Sequence, residues 1–248
     1  VVDFGLDGHR ALVTGAGRGL GRAIADGLAE LGATVYGTSR DPSTAREIAQ
    51  RYGTAPQVLE MSDVDVMREF VVGLQEQSGG IDMLVNNAGV NIPKPAVELT
   101  SEEWDSVLDT NLKGSFFLST AMATTWLESG TSGSIVNIAS QAGVVAIEDR
   151  AAYGTSKAGL IHLTKVLALE WARAGIRVNA VAPTFVRTEL TASTLDRPDW
   201  AAELLRRIPV GRFGEPEDVV GAVAFLLGGA ASLITGHTIV VDGGYTIR

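Results

Sequence analysis

Ser140, Tyr153 and Lys157 stand in the order Ser…Tyr-x-x-x-Lys, downstream of a glycine-rich stretch that reads Thr14-Gly15-Ala16-Gly17-Arg18-Gly19-Leu20-Gly21. Four residues apart on a helix, Tyr153 and Lys157 share one face. A phenol near its ordinary pKa of about 10 is a poor base at neutral pH. A neighbouring ammonium favours the phenolate and lowers that value. Tyr153 can then donate a proton in a reduction and accept one in an oxidation. Ser140 ends an apolar run, and its hydroxyl can hydrogen-bond the same reacting oxygen and stabilise charge that develops there. A Tyr and a Lys at helical spacing are common on protein surfaces, so the pair gains its meaning from the glycine stretch upstream.

That stretch follows the strand-like Ala11-Leu12-Val13 and opens a helical pattern. Gly15 allows a tight turn, Gly19 lets the backbone approach phosphate, and Gly21 lets the helix pack close to the strand. The free N–H groups and positive dipole end of the helix then face a dinucleotide pyrophosphate. Together the two motifs describe hydride transfer between a nicotinamide and an alcohol or ketone. NAD sites usually carry an Asp or Glu at the end of the second strand, for the ribose 2′-hydroxyl. Here that strand ends Tyr36-Gly37-Thr38-Ser39-Arg40, with neutral Thr38 and Ser39. Arg40, helped by Arg18, can pair with a 2′-phosphate, while Asp41 either points away or pairs with Arg40. NADP is therefore the preferred cofactor, with NAD as the alternative.

Seven short runs read as strands: Arg10–Thr14, Thr34–Ser39, Gln57–Met61, Met83–Asn86, Ser134–Ile138, Arg177–Ala182 and Thr238–Val241. Most are apolar almost throughout, as parallel strands covered on both faces must be. Helical patterns lie between them at Gly21–Leu31, Glu102–Leu127 (with a bend near Gly114), Ala152–Arg173 and Pro216–Leu227. This alternation predicts an α/β fold of Rossmann type, a doubly wound parallel sheet of about seven strands with helices on both faces. Residues 1–248 read as one dinucleotide-binding catalytic domain, without linker or repeat. The polar segment Thr188 to Pro209 fits the alternation poorly and reads as a lid over the substrate.

The chain has 248 residues, a net charge of −9 and no cysteine. Disulfide and thiolate chemistry are excluded, and a cytoplasmic location is the natural reading. No Lys/Arg run offsets the negative charge, which argues against nucleic-acid or membrane-surface binding. The first ten residues carry Asp3, Asp7 and Arg10 and resemble no signal peptide. Val219 to Gly236 is uncharged but interrupted by glycines and too short to span a bilayer, so it reads as a buried helix and a turn. His9, His162 and His237 are scattered, and no metal site is expected.

With these residues in view, the chain resembles the short-chain dehydrogenase/reductase family over nearly its full length. Asn86-Asn87-Ala88-Gly89 looks like that family's adenosine-side motif, Asp63-Val64 its adenine-contacting pair, and Asn111 the helix Asn that completes its catalytic tetrad. In the family that Asn holds a water in a proton relay through the Lys. The resemblance places Pro183 and Thr188 beside the nicotinamide, and Lys157 on its ribose. It also implies a homotetramer built through two long helices and the C-terminal strand. One departure is Thr184, where the family usually has Gly after the Pro. A backbone that only Gly reaches easily would be lost there.

Substrate-pocket candidates are Gln141, Val145, Ile147, Asn91, Arg150 and the lid; Arg150 is suited to a carboxylate or hydroxyls. The segments Arg206–Gly214 and Asp242–Arg248 look similar to those of sugar and sugar-acid dehydrogenases in the family. The expected substrate is a small molecule: a sugar acid, polyol or keto sugar. A 3-ketoacyl thioester or other ketone is the alternative. A cofactor sensor without turnover is the rival of another class, and the intact Asn111, Ser140, Tyr153, Lys157 set argues against it.

Overall fold

The chain is described by a computed structural model over residues 4–247, so Val1–Asp3 and Arg248 lie outside the described residues. In chain order the elements are β1 (Arg10–Val13), α1 (Gly19–Glu30), β2 (Thr34–Ser39), α2 (Pro42–Tyr52), β3 (Gln57–Val58), α3 (Met67–Ser78), β4 (Met83–Asn86), α4 (Ser101–Leu108) and α5 (Gly114–Ser129). They continue with β5 (Gly133–Ile138), α6 (Ala151–Trp171), β6 (Ile176–Pro183), α7 (Glu189–Leu195), α8 (Pro198–Arg206), α9 (Glu217–Leu227) and β7 (Thr238–Val241). The strands form one seven-stranded sheet in the order β3-β2-β1-β4-β5-β6-β7, and every pairing is parallel. The order reverses between β1 and β4, which opens a crevice at the carboxyl ends of those two strands.

The apolar strands divide their side chains between two layers. Ala11, Val13, Val85, Val136 and Val181 pack with α1 and α9 through Ile24, Leu28, Val219 and Val223. Their neighbours Leu12, Leu84, Ile135 and Val178 pack on the other face with Val71, Met122, Trp126 and Leu167. Successive strand residues thus bury on opposite faces, which is why the runs lack a polar alternation.

Four features differ from the sequence expectation. The strand expected over Gln57–Met61 pairs only at Gln57 and Val58, because the chain turns away at the sheet edge, with Asp63 N–H on the Glu60 carbonyl. The long helix over Glu102–Leu127 is two helices. A π-helical turn, Asp109–Lys113, separates them, and a Cβ at Gly114 would lie 2.2 Å from the Met61 carbonyl oxygen, so the backbone there is pressed against the β3 loop. Helix α2, which the pattern does not single out, starts at Asp41 with Pro42 in its first turn and ends at Gly53 with φ 66°. The segment from Thr188 to Pro209 folds as α7 and α8, with Pro198 at the start of α8. Trp200, Leu204 and Leu205 of α8 join Val145, Ile147, Phe185 and Tyr245 in one apolar cluster. This clamps the segment over the carboxyl edge of β5 and β6.

Val219 to Gly236 comprises α9 and a short 3-10 turn at Gly229–Ala231. No helix among the described residues is long and apolar enough to cross a membrane.

Candidate active site

The crevice is framed by the turns that leave β1 and β4. Gly15 and Gly19 have φ values of 66° and 52°, which only glycine adopts without strain. A Cβ at Gly21 would sit 2.2 Å from the Gly15 carbonyl oxygen, so α1 starts hard against the turn. No side chain of its own caps the α1 N-terminus at Arg18, which leaves its first N–H groups for an anion. Leu20 anchors the turn to the core below. This cradle fits a dinucleotide pyrophosphate. Thr188 lies beside Gly19, its Cβ 3.3 Å from where a Gly19 Cβ would be, with Glu189 Oε2 at 3.1 Å from the same point.

Thr14 ties the two turns together, a role sequence reading did not assign. Its Oγ1 accepts from the N–H groups of Asn87 and Ala88, each at 2.9 Å, and donates to the Val85 carbonyl at 3.3 Å. Asn87 Nδ2 returns a bond to the Thr14 carbonyl at 2.9 Å. The signal was present, a hydroxyl at the last position before the glycine turn.

At the end of β2, Thr38 is buried and its Oγ1 accepts from Gly15 N–H at 3.4 Å, so it supports the turn and does not face a ribose. Asp41 does not pair with Arg40. Its carboxylate accepts from Thr44 N–H at 2.7 Å and from the Ser43 and Thr44 hydroxyls, and those bonds hold its pKa down to about 2. Arg18 and Arg40 are exposed near this edge. Asp63 is exposed beyond β3, and Val64 packs on the core.

Asn111 on the π-helical turn, Ser140 after β5, and Tyr153 and Lys157 on α6 come together. Lys157 is buried and its Nζ donates to the Ile138 carbonyl at 2.7 Å. The same Nζ lies 5.7 Å from the centre of the Tyr153 ring. A Cβ at Gly89 would be 3.1 Å from Asn111 Oδ1 and 3.7 Å from Lys157 Nζ, so Gly89 sits between them. Asn111 Nδ2 donates to Ser156 Oγ at 3.1 Å and to the Val90 carbonyl at 2.9 Å, while its Oδ1 accepts from Val90 N–H at 2.8 Å. Its side chain is fully engaged, and its main-chain carbonyl accepts from Ser115 Oγ at 3.0 Å. Ser156, which also donates to the Tyr153 carbonyl at 2.7 Å, is a second residue that spacing alone did not reveal.

Ser140 Oγ accepts from Ala142 N–H at 3.1 Å, which leaves its own proton to donate. Burial pushes the Tyr153 phenol above its ordinary value; a hydrogen bond with Ser140 and the charge of Arg150 pull it back. Lys157 is not the group that lowers it, contrary to the sequence expectation. Instead burial lowers Lys157 itself to about 8. Arg150 is partly buried, and the loss of water lowers its pKa. It follows Asp149, whose φ of 58° is the only positive value at a non-glycine among the described residues. The carbonyl of Asp149 accepts from Lys94 N–H at 3.1 Å, which fixes this loop to the one leaving β4.

Gln141 is buried beside Ser140, and Val145 N–H bonds to its carbonyl at 2.9 Å. Pro183 ends β6 opposite Val241. Thr184 has no positive φ, and its N–H meets the Val241 carbonyl at 3.0 Å, so the turn after Pro183 needs no glycine. Among the described residues no group of three or more His, Asp or Glu could hold a metal.

A dinucleotide cradle that opens onto half-buried Tyr153 beside buried Lys157 and Ser140 defines a nicotinamide-dependent oxidoreductase of alcohols and ketones. The family model described as enoyl-(acyl carrier protein) reductase matches residues 15–246. D-threitol dehydrogenase of Mycolicibacterium smegmatis is 42% identical over 254 residues, covering 99% of this chain and 96% of that protein. NAD-dependent glycerol dehydrogenase of Listeria innocua is 39% identical, covering 99% and 97%. The crystal structure of a gluconate 5-dehydrogenase from Burkholderia cenocepacia in complex with NADP and tartrate superposes with a TM-score of 0.96. It shares 34% identity and covers 99% of this chain and 98% of that one. The chain belongs to the short-chain dehydrogenase/reductase family.

Proposed function

We propose that this enzyme interconverts a secondary hydroxyl and a ketone on a polyol, sugar acid or keto sugar, with NADP(H) preferred over NAD(H). The observation that carries the reading is the Tyr153 phenol, hydrogen-bonded with Ser140 and above Lys157, at the crevice beside the glycine turn. When bound, the nicotinamide supplies the hydride acceptor or donor. Gly15, Gly19, Leu20 and Gly21 would cradle its pyrophosphate, with Asn87, Ala88 and Gly89 on the adenosine side. Asp63 and Val64 would meet the adenine, and Pro183 and Thr188 the nicotinamide end. Arg18 and Arg40 make no ion pair or side-chain hydrogen bond among the described residues, and Asp41, which follows Arg40, is spent on capping α2. Two unpaired guanidiniums beside that ribose favour a 2′-phosphate.

In oxidation, Tyr153 Oη takes the proton of the substrate hydroxyl as the C–H bond gives up its hydride; in reduction it returns that proton to the new alkoxide. Ser140 donates to the reacting oxygen and stabilises its charge. Lys157 would orient the ribose, while Ser140 and Arg150 favour the phenolate. Asn111 holds the loop that carries Gly89, and through it Lys157 and the relay. Arg150, beside Tyr153, suits the carboxylate of a sugar acid, and Val145 with α8 closes the pocket; we read α7–α8 as a lid within one catalytic domain spanning the chain.

An apolar groove of ≈ 550 Å³ between the α4–α5 region and α6, lined by Leu112, Phe116, Leu163 and Val166 with His162 at its edge, supports pairing of long helices in a homotetramer. The same proposal includes a cytoplasmic location and no nucleic-acid or membrane partner. The test is cofactor absorbance with sugar acids, polyols, keto sugars and 3-ketoacyl thioesters, with NADP(H) and NAD(H) in parallel. Turnover of thioesters alone would overturn the substrate class, and equal use of both cofactors the NADP preference.

A further inference from the structure

Five buried side-chain oxygens find no hydrogen-bond partner among the described residues: Asn86 Oδ1, Asn91 Oδ1, Gln141 Oε1, Thr184 Oγ1 and Thr238 Oγ1. Two lie away from the pocket. Asn86 faces the layer beneath the sheet, where its Nδ2 donates to Ser119 and Asn137 at 2.8 Å each. Thr238 starts β7 at the opposite edge. The other three follow the carboxyl ends of β4, β5 and β6, which are neighbours in the sheet.

Each of the three is attached to a fixed point of the site. Asn91 follows Val90, whose N–H and carbonyl are both bonded to Asn111, at 2.8 and 2.9 Å. Gln141 follows Ser140 and is only 2% exposed, on a 3-10 turn that presses on α6: a Cβ at Gly143 would be 2.6 Å from the Lys157 main chain. Thr184 follows Pro183, with its N–H on the Val241 carbonyl at 3.0 Å. Side chains hung from such anchors cannot easily swing out to find another partner. A buried acceptor left unmatched is costly, and the cost is relieved by any ligand that brings a donor to it.

We propose that Asn91, Gln141 and Thr184 form a preorganised set of acceptors for the hydroxyl groups flanking the reacting carbon, and so select a polyhydroxylated substrate over a hydrocarbon or acyl-thioester chain. The proposal rests on the oxidoreductase reading above and deepens it. Hydroxyls can donate to all three oxygens, whereas an alkyl or fatty-acyl chain next to the carbonyl has no donor to offer and leaves them unpaired. A site built to hydrogen-bond a hydroxyl rejects the analogue lacking it far more strongly than an apolar pocket rejects a size change. Thr184 contributes directly, since glycine at this position would bring no hydroxyl.

The test compares reduction of 1,3,4-trihydroxy-2-butanone with that of 2-butanone, which has the same carbon skeleton and carbonyl. Near-isosteric Asn91→Leu, Gln141→Met and Thr184→Val variants are measured beside the wild type. The expected result is a fall of roughly tenfold or more in the ratio of the two kcat/KM values for each variant, with melting temperatures unchanged or raised by loss of the unpaired oxygen. An unchanged ratio in variants of a polyol-preferring wild type overturns the acceptor assignment alone. A parallel fall on both ketones with a lowered melting temperature also overturns it, by making the residues structural. A wild type that prefers 2-butanone overturns the polyol reading as well.

Discussion

Asn111 and Val90 hold each other through a reciprocal pair of hydrogen bonds, Val90 N–H to Asn111 Oδ1 at 2.8 Å and Asn111 Nδ2 to the Val90 carbonyl at 2.9 Å. The pair joins the π-helical turn between α4 and α5 to the loop that carries Asn87, Ala88 and Gly89. Because Asn111 is fully buried, an Asn111→Leu change strands both Val90 groups and takes one donor from Ser156 Oγ, whose own bond to the Tyr153 carbonyl remains. The expected cost is about 2–4 kcal/mol in stability, with turnover reduced 10- to 100-fold because the Gly89 loop loses its register. Chemical denaturation and steady-state kinetics on one preparation check both parts.

In the proposed site, cofactor choice turns on Arg40. An Arg40→Asp change replaces a free guanidinium with a carboxylate beside the ribose. The dissociation constant for NADPH is expected to rise roughly tenfold or more, and that for NADH to stay within a few-fold. Fluorescence titration of both reduced cofactors measures it; an unchanged NADPH constant removes Arg40 from the phosphate site.

Burial of Lys157 has a consequence for stability. Its pKa in the folded protein is about 8, against an ordinary 10.5. Between those values the unfolded chain binds the proton and the native chain does not, so stability rises with pH through that window. The Tyr153 phenol, raised in the fold, opposes this only above its ordinary value near 10. Wild-type protein should therefore gain on the order of 2–3 kcal/mol between pH 8 and 10, relative to a Lys157→Met variant. Urea melts across that range provide the comparison, and parallel profiles for the two proteins would contradict it.

The pH dependence of oxidation reports the phenol itself. Ser140 and Arg150 both pull the Tyr153 pKa down against burial. Ser140→Ala and Arg150→Met are each expected to shift the alkaline-side ionisation in kcat to higher pH. Arg150→Met should in addition raise KM for sugar acids more than for neutral polyols, since it removes the cation suited to the carboxylate.

The sheet was readable because its strands are short, β-branched and apolar on both faces, and because glycine turns mark their ends. The crevice followed from a glycine turn after the first strand and Asn86–Gly89 after the fourth. What was not readable depends on contacts between distant segments. The 3.6-residue pattern continues through Asp109–Lys113, so Gly114 suggested a bend but nothing local specified the π turn that Met61 and Gly114 enforce. Asp41 offered two roles on sequence, and only the geometry of Thr44 assigns it to the helix cap. Helices α7 and α8 are too short to carry a clear period, and their apolar faces acquire partners only when Tyr245 and Val145 arrive from elsewhere in the chain. The Tyr153 phenol was expected to be lowered by its neighbour on the helix, yet burial, which spacing cannot report, dominates.

In the proposed mechanism Tyr153 exchanges the proton with the substrate oxygen. Tyr153→Phe removes the hydroxyl and keeps the ring that packs near Lys157. With the best substrate from the panel, kcat is expected to fall at least 10³-fold, about 4 kcal/mol in the barrier, with cofactor affinity within a few-fold of wild type. A variant that keeps more than a tenth of wild-type kcat, or one that loses cofactor binding along with turnover, would contradict it.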